Sequence, residues 1–297
     1  MIIDHDMNMR TTPNLLKSPW ACVRNWTLLR CLDDLLHLMW LGFGKDLIGQ
    51  VLFERAMTEY PSLEEGLTGL WRECKLWHKS KKTSFNYKRW TPTTISYKAA
   101  NDFPTFETKA KAMKTKQVFL WLASSTIVRF NTGLDTSYHA ELRSQMLWHL
   151  HKFVYTLDGE GDVLSQETAD DVCRDGEDFL RIYTHLASVA QASQTTSYKL
   201  RPKLHYFWHL LQYTRISREN PRRRDLFSAE DFIGRVKKIG QKCHRSSASL
   251  RIVQRMITLK RVRCARKIRP NSPVTSLGPN LGCCLCSGEG RGRHTYV

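Results

Sequence analysis

The sequence predicts a mainly α-helical protein, and three observations lead to this fold class. Apolar residues recur at steps of three and four along several segments, which is the period of an amphipathic helix. Patterns that would predict strands are few, and the apolar run Met1-Ile2-Ile3 before Asp4 is only a weak candidate for a strand end. The chain has 297 residues, of which 41% are hydrophobic, so it is long enough for one large domain or two small ones with a core.

The first half of the chain contains two predicted helices separated by an irregular stretch. Residues 34–54 carry an apolar stripe, but three glycines weaken this helix and predict a break in it. Residues 78–110 contain two prolines and many Ser, Thr and Lys, a composition typical of irregular structure. A buried helix is predicted at 113–130. The stripe of the first helix consists of Leu36, Met39, Trp40, Phe43, Leu47 and Val51, and its glycines are Gly42, Gly44 and Gly49.

The second half of the chain contains further helical patterns. A helix is predicted at 138–157, an acidic loop at 158–175, and a helix around Phe179 to Ala190. Pro202 suits the first turn of the next helix. We expect residues 112–197 to pack as a bundle separate from the region of Glu230. The last helices are predicted at 227–242 and 246–264, the latter with Leu250, Val253 and Ile257 facing inward, before a tail rich in Gly, Ser and Pro.

The positive charge of the chain is concentrated near the C-terminus. The formal net charge is +18, and residues 199–269 contain 21 Lys and Arg against four acids. A localised basic block indicates a polyanionic partner, most often nucleic acid, whereas the simpler interpretation is a solvated surface. We expect phosphate contacts with DNA that do not depend on its sequence. The candidate DNA-binding residues are Lys237, Lys238, Lys242, Arg245, Arg251, Arg255, Arg261 and Arg263.

The cysteine pattern and the hydropathy of the chain limit the cellular locations that we expect for the protein. The nine cysteines show no short-spaced framework of disulfides, which predicts reduced thiols in an intracellular protein. The longest apolar run, Val118 to Ala123, is too short to cross a bilayer, so no membrane partner is expected. The basic clusters at 260–263 and 266–269 are typical of a nuclear localisation signal, and we expect a nuclear or otherwise intracellular protein.

Two short motifs contain histidines. Asp34 and His37 are three residues apart, which places them on one helical face, where a carboxylate orients a histidine or helps to bind a metal. The simpler interpretation is a helix cap beside a histidine at the edge of the core. His205 and His209, four residues apart, have a spacing that suits zinc, but Tyr206 stands where a zinc protease has glutamate. Histidines with ordinary hydrogen-bond partners are therefore the favoured interpretation.

A third motif, residues 226–234, contains Glu230. Ser228 is a plausible helix cap, and Glu230 and Asp231 then lie in the first turn, where the helix dipole favours acids. That explanation is complete in structural terms. The functional alternative makes Glu230 a catalytic carboxylate that binds Mg²⁺ or Mn²⁺.

The order of these motifs resembles one family of enzymes. The run 32–37, followed by Leu41-Gly42 and 45–49, is similar to the D-x-x-H segment of CACTA-type and Kyakuja–Dileera–Zisupton-type transposases. The run 203–209 resembles their K-x-H-x-x-x-H segment, and 227–234 resembles the segment with their last catalytic Glu, here Glu230. The resemblance covers about residues 15–60 and 199–262. We call these runs the D-x-x-H segment, the K-x-H segment and the Glu230 segment.

The resemblance implies a particular organisation of the chain. In such transposases the D-x-x-H segment opens, and the K-x-H segment closes, a long helical insertion in an RNase H-like domain. Residues 1–60 would then be a partial RNase H-like segment and 61–197 the insertion. Residues 198–268 would be the basic helical end of the catalytic domain, and 269–297 a disordered tail. The implied fold is mainly α, with little residual sheet.

The resemblance also implies a chemistry for which this chain is poorly equipped. These transposases use two Asp and one Glu to bind two Mg²⁺ or Mn²⁺ ions about 4 Å apart. Asp34, His37 and Glu230 would be remnants of such a site. The D-x-x-H segment begins close to the N-terminus, and Asp4, after the possible strand end Ile2-Ile3, is the candidate for the second Asp. We expect a truncated or decayed transposon protein that binds DNA without transposase activity. The alternatives are a non-catalytic basic helical protein that binds nucleic acid, and a helical interaction protein with no such role.

Overall fold

A computed structural model describes residues 34–107, 109–224, 226–244 and 247–267, apart from the side chains at 223, 224, 227–231, 248 and 259–267. The chain divides into two compact units, Met1–Asp231 and Phe232–Val297, and the division falls within a helix. The predicted strand end at Ile2-Ile3, the acid Asp4 and the tail after Pro270 lie outside the described residues.

The described residues form nine helices and no sheet, so the predicted mainly α class is confirmed. The one pairing of extended residues in this part of the chain is an isolated bridge between Val163 and Glu219. Two short 3₁₀ turns, Pro92–Ile95 and Pro221–Arg224, lie between the helices. The helices are α1 (Leu36–Phe43, π-helical), α2 (Gly44–Glu59), α3 (Leu63–Ser80), α4 (Ala112–Asn131), α5 (Tyr138–Gly159), α6 (Gln166–Ala192), α7 (Pro202–Ser217), α8 (Phe227–Gly240) and α9 (Ala248–Lys267).

Serine caps and prolines account for several helix starts. Ser62, Ser137 and Ser165 each accept a hydrogen bond from the backbone N–H three residues later, at the start of α3, α5 and α6. Pro202 begins α7, as predicted. The predicted acidic loop at 158–175 is wrong, because α6 begins at Gln166. Its acids obscured an apolar stripe of Ala169, Val172, Cys173 and Gly176, all of which are buried.

The predicted break in the first helix is confirmed at Gly42. Its backbone angles, φ −122° and ψ −124°, are not helical, and α1 and α2 meet there. Gly49 causes no break; it lies inside α2, where the irregular segment passes close to the helix. A β-carbon at residue 49 would lie 2.7 Å from the backbone of Pro104. The predicted irregular stretch is confirmed, and it is packed, because Trp90, Ile95 and Phe106 are fully buried.

One hydrophobic core runs through the first unit, from α1 to α7. Phe43 of α1 stacks on Phe179 of α6 with ring centroids 5.5 Å apart, and Phe207 of α7 lies 5.1 Å from Phe43. Phe153 of α5 contacts the same Phe207 ring at 5.3 Å. The helices of 112–197 therefore share their core with α1 and α7, while their separation from the region of Glu230 stays a prediction. The proposed boundaries at 60/61 and 197/198 fall within this unit, while the RNase H-like origin of the flanking segments stays a prediction.

The central helix α2 is buried along most of its length although it is polar. Lys45, Asp46 and Gln50 are each less than 10% exposed. The amino group of Lys45 donates to the Ala110 carbonyl at 2.9 Å, and the Asp46 carboxylate accepts from the Thr105 hydroxyl at 2.8 Å. Because a buried charge without a partner is costly, these contacts determine which segments surround α2.

Glu54, near the end of α2, is the centre of a polar network. Its Oε2 atom accepts from Arg143 Nη1 and from the Tyr198 hydroxyl, each at 3.1 Å, and lies 3.2 Å from His139 Nε2. Gln50 donates to the other carboxylate oxygen at 2.9 Å. Burial alone would raise the pKa of Glu54, but the hydrogen bond from His139 and the nearby Arg143 charge lower it overall. The ionised carboxylate thus connects α2, α5 and the segment before α7.

The second unit is a basic helical hairpin of the end of α8 and α9. Ile252 of α9 packs on α8, with Cδ1 3.2 Å from where a β-carbon of Gly240 would lie. The predicted inward stripe of α9 is wrong, because Leu250, Val253 and Ile257 are 61%, 55% and 48% exposed. Ile252 and Met256, half-buried, lie on a different stripe of α9. Both stripes are apolar, so periodicity alone did not tell which one packs.

The Glu54 network predicts a pH-dependent stability. The hydrogen bond to Glu54 raises the pKa of His139 above its ordinary 6.5. A histidine whose pKa is raised on folding stabilises the fold fully below pH 6.5, and this contribution is lost as the pH rises through the folded-state pKa. We expect His139→Gln to lower the free energy of unfolding more at pH 6 than at pH 8, measured by urea unfolding at both values.

The exposed His185 serves as the control, since His185→Gln removes a histidine outside this network. A pH dependence of stability that is the same in wild type and His139→Gln would show that the His139–Glu54 contact contributes nothing.

Candidate functional site

Asp34 caps the start of α1. Its Oδ1 atom accepts from the Leu36 N–H at 3.1 Å, and its Oδ2 atom pairs with Nδ1 of His37. The side chain of Asp34 is 13% exposed and that of His37 is 50% exposed. The contact expected from the three-residue spacing is therefore present, in the form that a helix cap predicts.

Lys203 of the K-x-H segment contacts the same helix. Its amino group donates to the carbonyl of His37 at 2.7 Å and, more weakly, to that of Leu41 at 3.4 Å. A β-carbon at Gly42 would lie 2.5 Å from Cδ of Lys203, so a glycine is needed for the lysine to pass. Burial lowers the pKa of Lys203, and the charge of Arg201 lowers it further.

Arg201 attaches the same segment to α2. Its Nη2 atom donates to Asp46 Oδ1 at 2.8 Å, and its Nε atom contacts Asp46 Oδ2. The Asp46 side chain is only 1% exposed, and its hydrogen bond raises the pKa of Arg201. Arg201 and Lys203 thus hold the first turn of α7 against both α1 and α2.

The residue just before the Glu230 segment also contacts Asp34. The backbone N–H of Leu226 donates to Asp34 Oδ1 at 3.3 Å, and α8 starts at the next residue. Glu230 follows Leu226 by four residues in α8, and its side chain lies outside the described ones. The three motif segments, which are far apart in the sequence, therefore meet around Asp34. We call this contact region the Asp34 junction.

The described side chains of the Asp34 junction do not fit a pair of divalent metals. Mg²⁺ and Mn²⁺ prefer several oxygen ligands, whereas the junction offers one carboxylate, a histidine and a lysine. The oxygens of that carboxylate already accept from two backbone N–H groups and contact His37. Within the described part of the chain, no group of three or more His, Cys, Asp or Glu has an arrangement that could hold a metal.

His205 and His209 lie on the exposed side of α7. Their Nε2 atoms are 3.0 Å apart, a distance that fits one N–H···N hydrogen bond between the rings. The ring of Trp208 lies nearly parallel to that of His205, with centroids 6.2 Å apart. The pair thus satisfies itself, in agreement with the favoured interpretation of these histidines.

The basic hairpin carries the predicted DNA-binding residues. No acid occurs between residues 232 and 267, whereas this stretch contains 12 Lys and Arg. Arg245 lies outside the described residues, as do the side chains of Arg261 and Arg263. No helix within the described ranges is long and apolar enough to cross a membrane. The exposed cations of the hairpin are Arg235, Lys237, Lys238, Lys242, Arg251 and Arg255.

The sequence indicated the motifs of the junction but not the contacts between them. Lys203 was part of a recognised run, yet nothing in its spacing pointed to the carbonyl of His37. Arg201 and Asp46 are 155 residues apart, and a single sequence does not reveal such an ion pair. The backbone N–H of Leu226 has no side-chain signature at all, so only tertiary structure identifies it.

We predict that Lys203→Met destabilises the protein. Methionine preserves the length of the side chain but removes the hydrogen bonds that the lysine donates to the carbonyls of His37 and Leu41 next to the break in the helix. The free energy of unfolding should fall by about 1–3 kcal/mol, measured by urea unfolding. Lys98→Met, at an exposed lysine, is the control. Equal stabilities of the two variants would mean that Lys203 does not hold the junction together.

Comparisons with known proteins identified no relative of this chain. No protein-family model, no curated protein and no solved structure matches the chain.

Proposed function

We propose that this chain is a transposase-derived protein, of the CACTA or Kyakuja–Dileera–Zisupton kind, that binds DNA without transposase activity. The Asp34 junction is the observation that carries the proposal. Lys203 of the K-x-H segment and Leu226, just before the Glu230 segment, both contact the D-x-x-H segment, although about 190 residues separate Asp34 from Leu226. Chance resemblances at three places would not be expected to lie in contact.

The role of Asp34 supports the absence of catalysis. A carboxylate that catalyses phosphoryl transfer must direct its oxygens at metal ions, whereas the oxygens of Asp34 bind two backbone N–H groups and His37. In this proposal the D-x-x-H motif is a structural joint between α1 and α8. No catalytic step is assigned to Glu230.

The charge of the hairpin supports DNA as the partner. Exposed cations at this density repel one another, so the hairpin gains from an anion that neutralises them. Phosphates of a DNA backbone supply such anions in a row, and contacts to them do not read sequence. The basic clusters at 260–263 and 266–269 would also serve as a nuclear localisation signal, which is consistent with a protein that binds DNA in the nucleus.

Replacing cations of the hairpin should weaken binding to duplex DNA and its dependence on salt. If about six phosphates are engaged, the logarithm of the binding constant should fall with the logarithm of salt concentration with a slope near −5. We expect Gln at Lys237, Lys238, Lys242, Arg251 and Arg255 together to weaken duplex binding at low salt at least about 100-fold and to flatten this slope. Fluorescence anisotropy with labelled duplexes of two unrelated sequences measures both quantities.

A control variant has the same change of charge. It carries Gln at five exposed cations of the first unit, namely Lys98, Lys109, Lys111, Arg174 and Arg181. If the hairpin variant and this control bind duplex DNA equally, the hairpin is not the DNA surface, and a helical interaction protein becomes the better description.

We also predict that the chain does not cut or join DNA. Incubation with supercoiled plasmid and Mg²⁺ or Mn²⁺ should leave the plasmid intact, because the Asp34 oxygens are engaged by protein donors. Metal-dependent nicking that is reproducible in wild type and lost in Glu230→Gln would contradict the proposal and would assign Glu230 a catalytic role.

A further inference from the structure

A second basic stretch lies on and after α3, far along the chain from the hairpin. Residues 72–89 contain seven Lys and Arg and one acid, Glu73. The acid is directed away from this surface: its carboxylate contacts Arg55 at 3.3 Å and accepts from the Tyr60 hydroxyl at 2.9 Å. The stretch is therefore strongly positive on its outer side.

An open groove of about 550 Å³ follows this surface. Arg72, Lys75 and Lys79 lie along one side of it, at steps of three and four on α3, which places them on one helical face. All three are exposed, and none forms an ion pair with an acid in the described part of the chain. The rings of Trp71 and Phe85 line the same groove. Its size is within the range of ligand sites.

Contacts with neighbouring protein groups fix the positions of the Trp71 and Phe85 rings. The indole N–H of Trp71 donates to the Tyr87 carbonyl at 3.2 Å. The buried ring of His78 stacks on Phe85, with centroids 4.7 Å apart and planes 8° apart, and its Nδ1 atom lies 2.7 Å from the Thr83 hydroxyl. Because burial lowers the pKa of His78, this ring stays neutral behind the cations.

The backbone that carries Phe85 is also attached to α4. Gln117 donates to the Ser84 carbonyl at 3.3 Å, and the amino group of Lys114 donates to the Asn86 carbonyl at 3.4 Å. Lys114 also lies over the ring of Tyr87, 4.6 Å from its centroid. The groove therefore has a preformed wall, so a ligand would not have to order it on binding.

We propose that this groove binds single-stranded nucleic acid, with bases stacked on Trp71 and Phe85 and phosphates on Arg72, Lys75 and Lys79. Aromatic rings beside a row of cations are the combination that non-specific single-strand binding requires. A duplex does not fit this chemistry, because its bases are already stacked on one another. An acidic peptide would use the cations but has no need of the rings. The site is separate from the hairpin and does not depend on its role in duplex binding.

The test uses the full chain with the five Gln substitutions of the hairpin, so that the groove is measured without that surface. The probe is a fluorescein-labelled oligo-dT of about 15 nucleotides, with anisotropy as the readout. Gln at Arg72, Lys75 and Lys79 together should weaken binding at least about tenfold and reduce the salt slope by about 2, since three phosphate contacts are lost at about 0.7 each. Phe85→Leu should weaken binding about tenfold without changing the slope.

Two controls separate stacking from charge. Gln at Lys98, Arg174 and Arg181, which removes the same charge from other exposed positions, should leave oligo-dT affinity unchanged. A sugar-phosphate strand without bases should bind the groove more weakly than oligo-dT binds Phe85→Leu, because it loses the stacking on both Trp71 and Phe85.

Several outcomes would overturn the proposal. They are an unchanged affinity in the triple Gln variant, equal loss in its charge-matched control, and equal affinity for strands with and without bases. Polyglutamate that competes as well as oligo-dT would assign the groove to acidic proteins instead. If Phe85→Leu fails to fold, the triple variant and the strand without bases decide the question. Loss of duplex binding by the hairpin variant is scored separately, so either proposal can fail alone.

Discussion

The fold depends on one constraint: its central helix is buried and yet carries charged residues. Burying an unpaired charge costs several kcal/mol, so each polar side chain of α2 must find a partner in the segments packed around it. Asp46 is paired by Arg201, and Glu54 by Arg143, His139 and Tyr198. These partners come from α5 and from the segment that leads into α7. The same requirement that neutralises α2 therefore selects which distant parts of the chain surround it.

The Asp34 junction follows from this arrangement. Arg201 is held by Asp46 on α2, and two residues later Lys203 reaches the carbonyl of His37 across Gly42. The chain then returns after α7, so that the N–H of Leu226 meets Asp34. Residues that are distant in the sequence thus share hydrogen bonds because the polarity of α2 requires partners nearby. In the proposed function, Asp34 holds the segments of a transposase-derived fold together and does not bind a catalytic metal.

The charged side chains of the core have partners of opposite charge, whereas the described cations of the two proposed nucleic-acid surfaces lack them. Around α2 nearly every charge has a close partner of opposite sign, and such pairs specify structure. Along residues 232–267 there is no acid to pair with, and on α3 the one acid in the basic stretch, Glu73, contacts Arg55 and accepts from the Tyr60 hydroxyl. The two surfaces also differ in chemistry. Two aromatic rings line the groove together with its cations, whereas the described part of the hairpin has one exposed ring, Phe232. A single strand is therefore assigned to the groove and a duplex to the hairpin.

The sequence by itself determined the mainly helical class, most helix positions apart from α3, a break in the first helix at one of three glycines, and the basic block, because periodicity, glycine and net charge are local properties. It also indicated the Asp34–His37 contact, since three residues on one helix are neighbours whatever the rest of the chain does. Only the tertiary structure decided that 112–197 shares one core with α1 and α7, and that α9 packs through Ile252 while Leu250, Val253 and Ile257 stay exposed. The attachment of Arg201 and Lys203 to α1 and α2 was equally hidden. The physical reason is the same in each case. These outcomes depend on which segments pack together across long sequence separations. A local sequence pattern predicts which face of a helix is apolar or charged, but it does not predict which distant segment contacts that face.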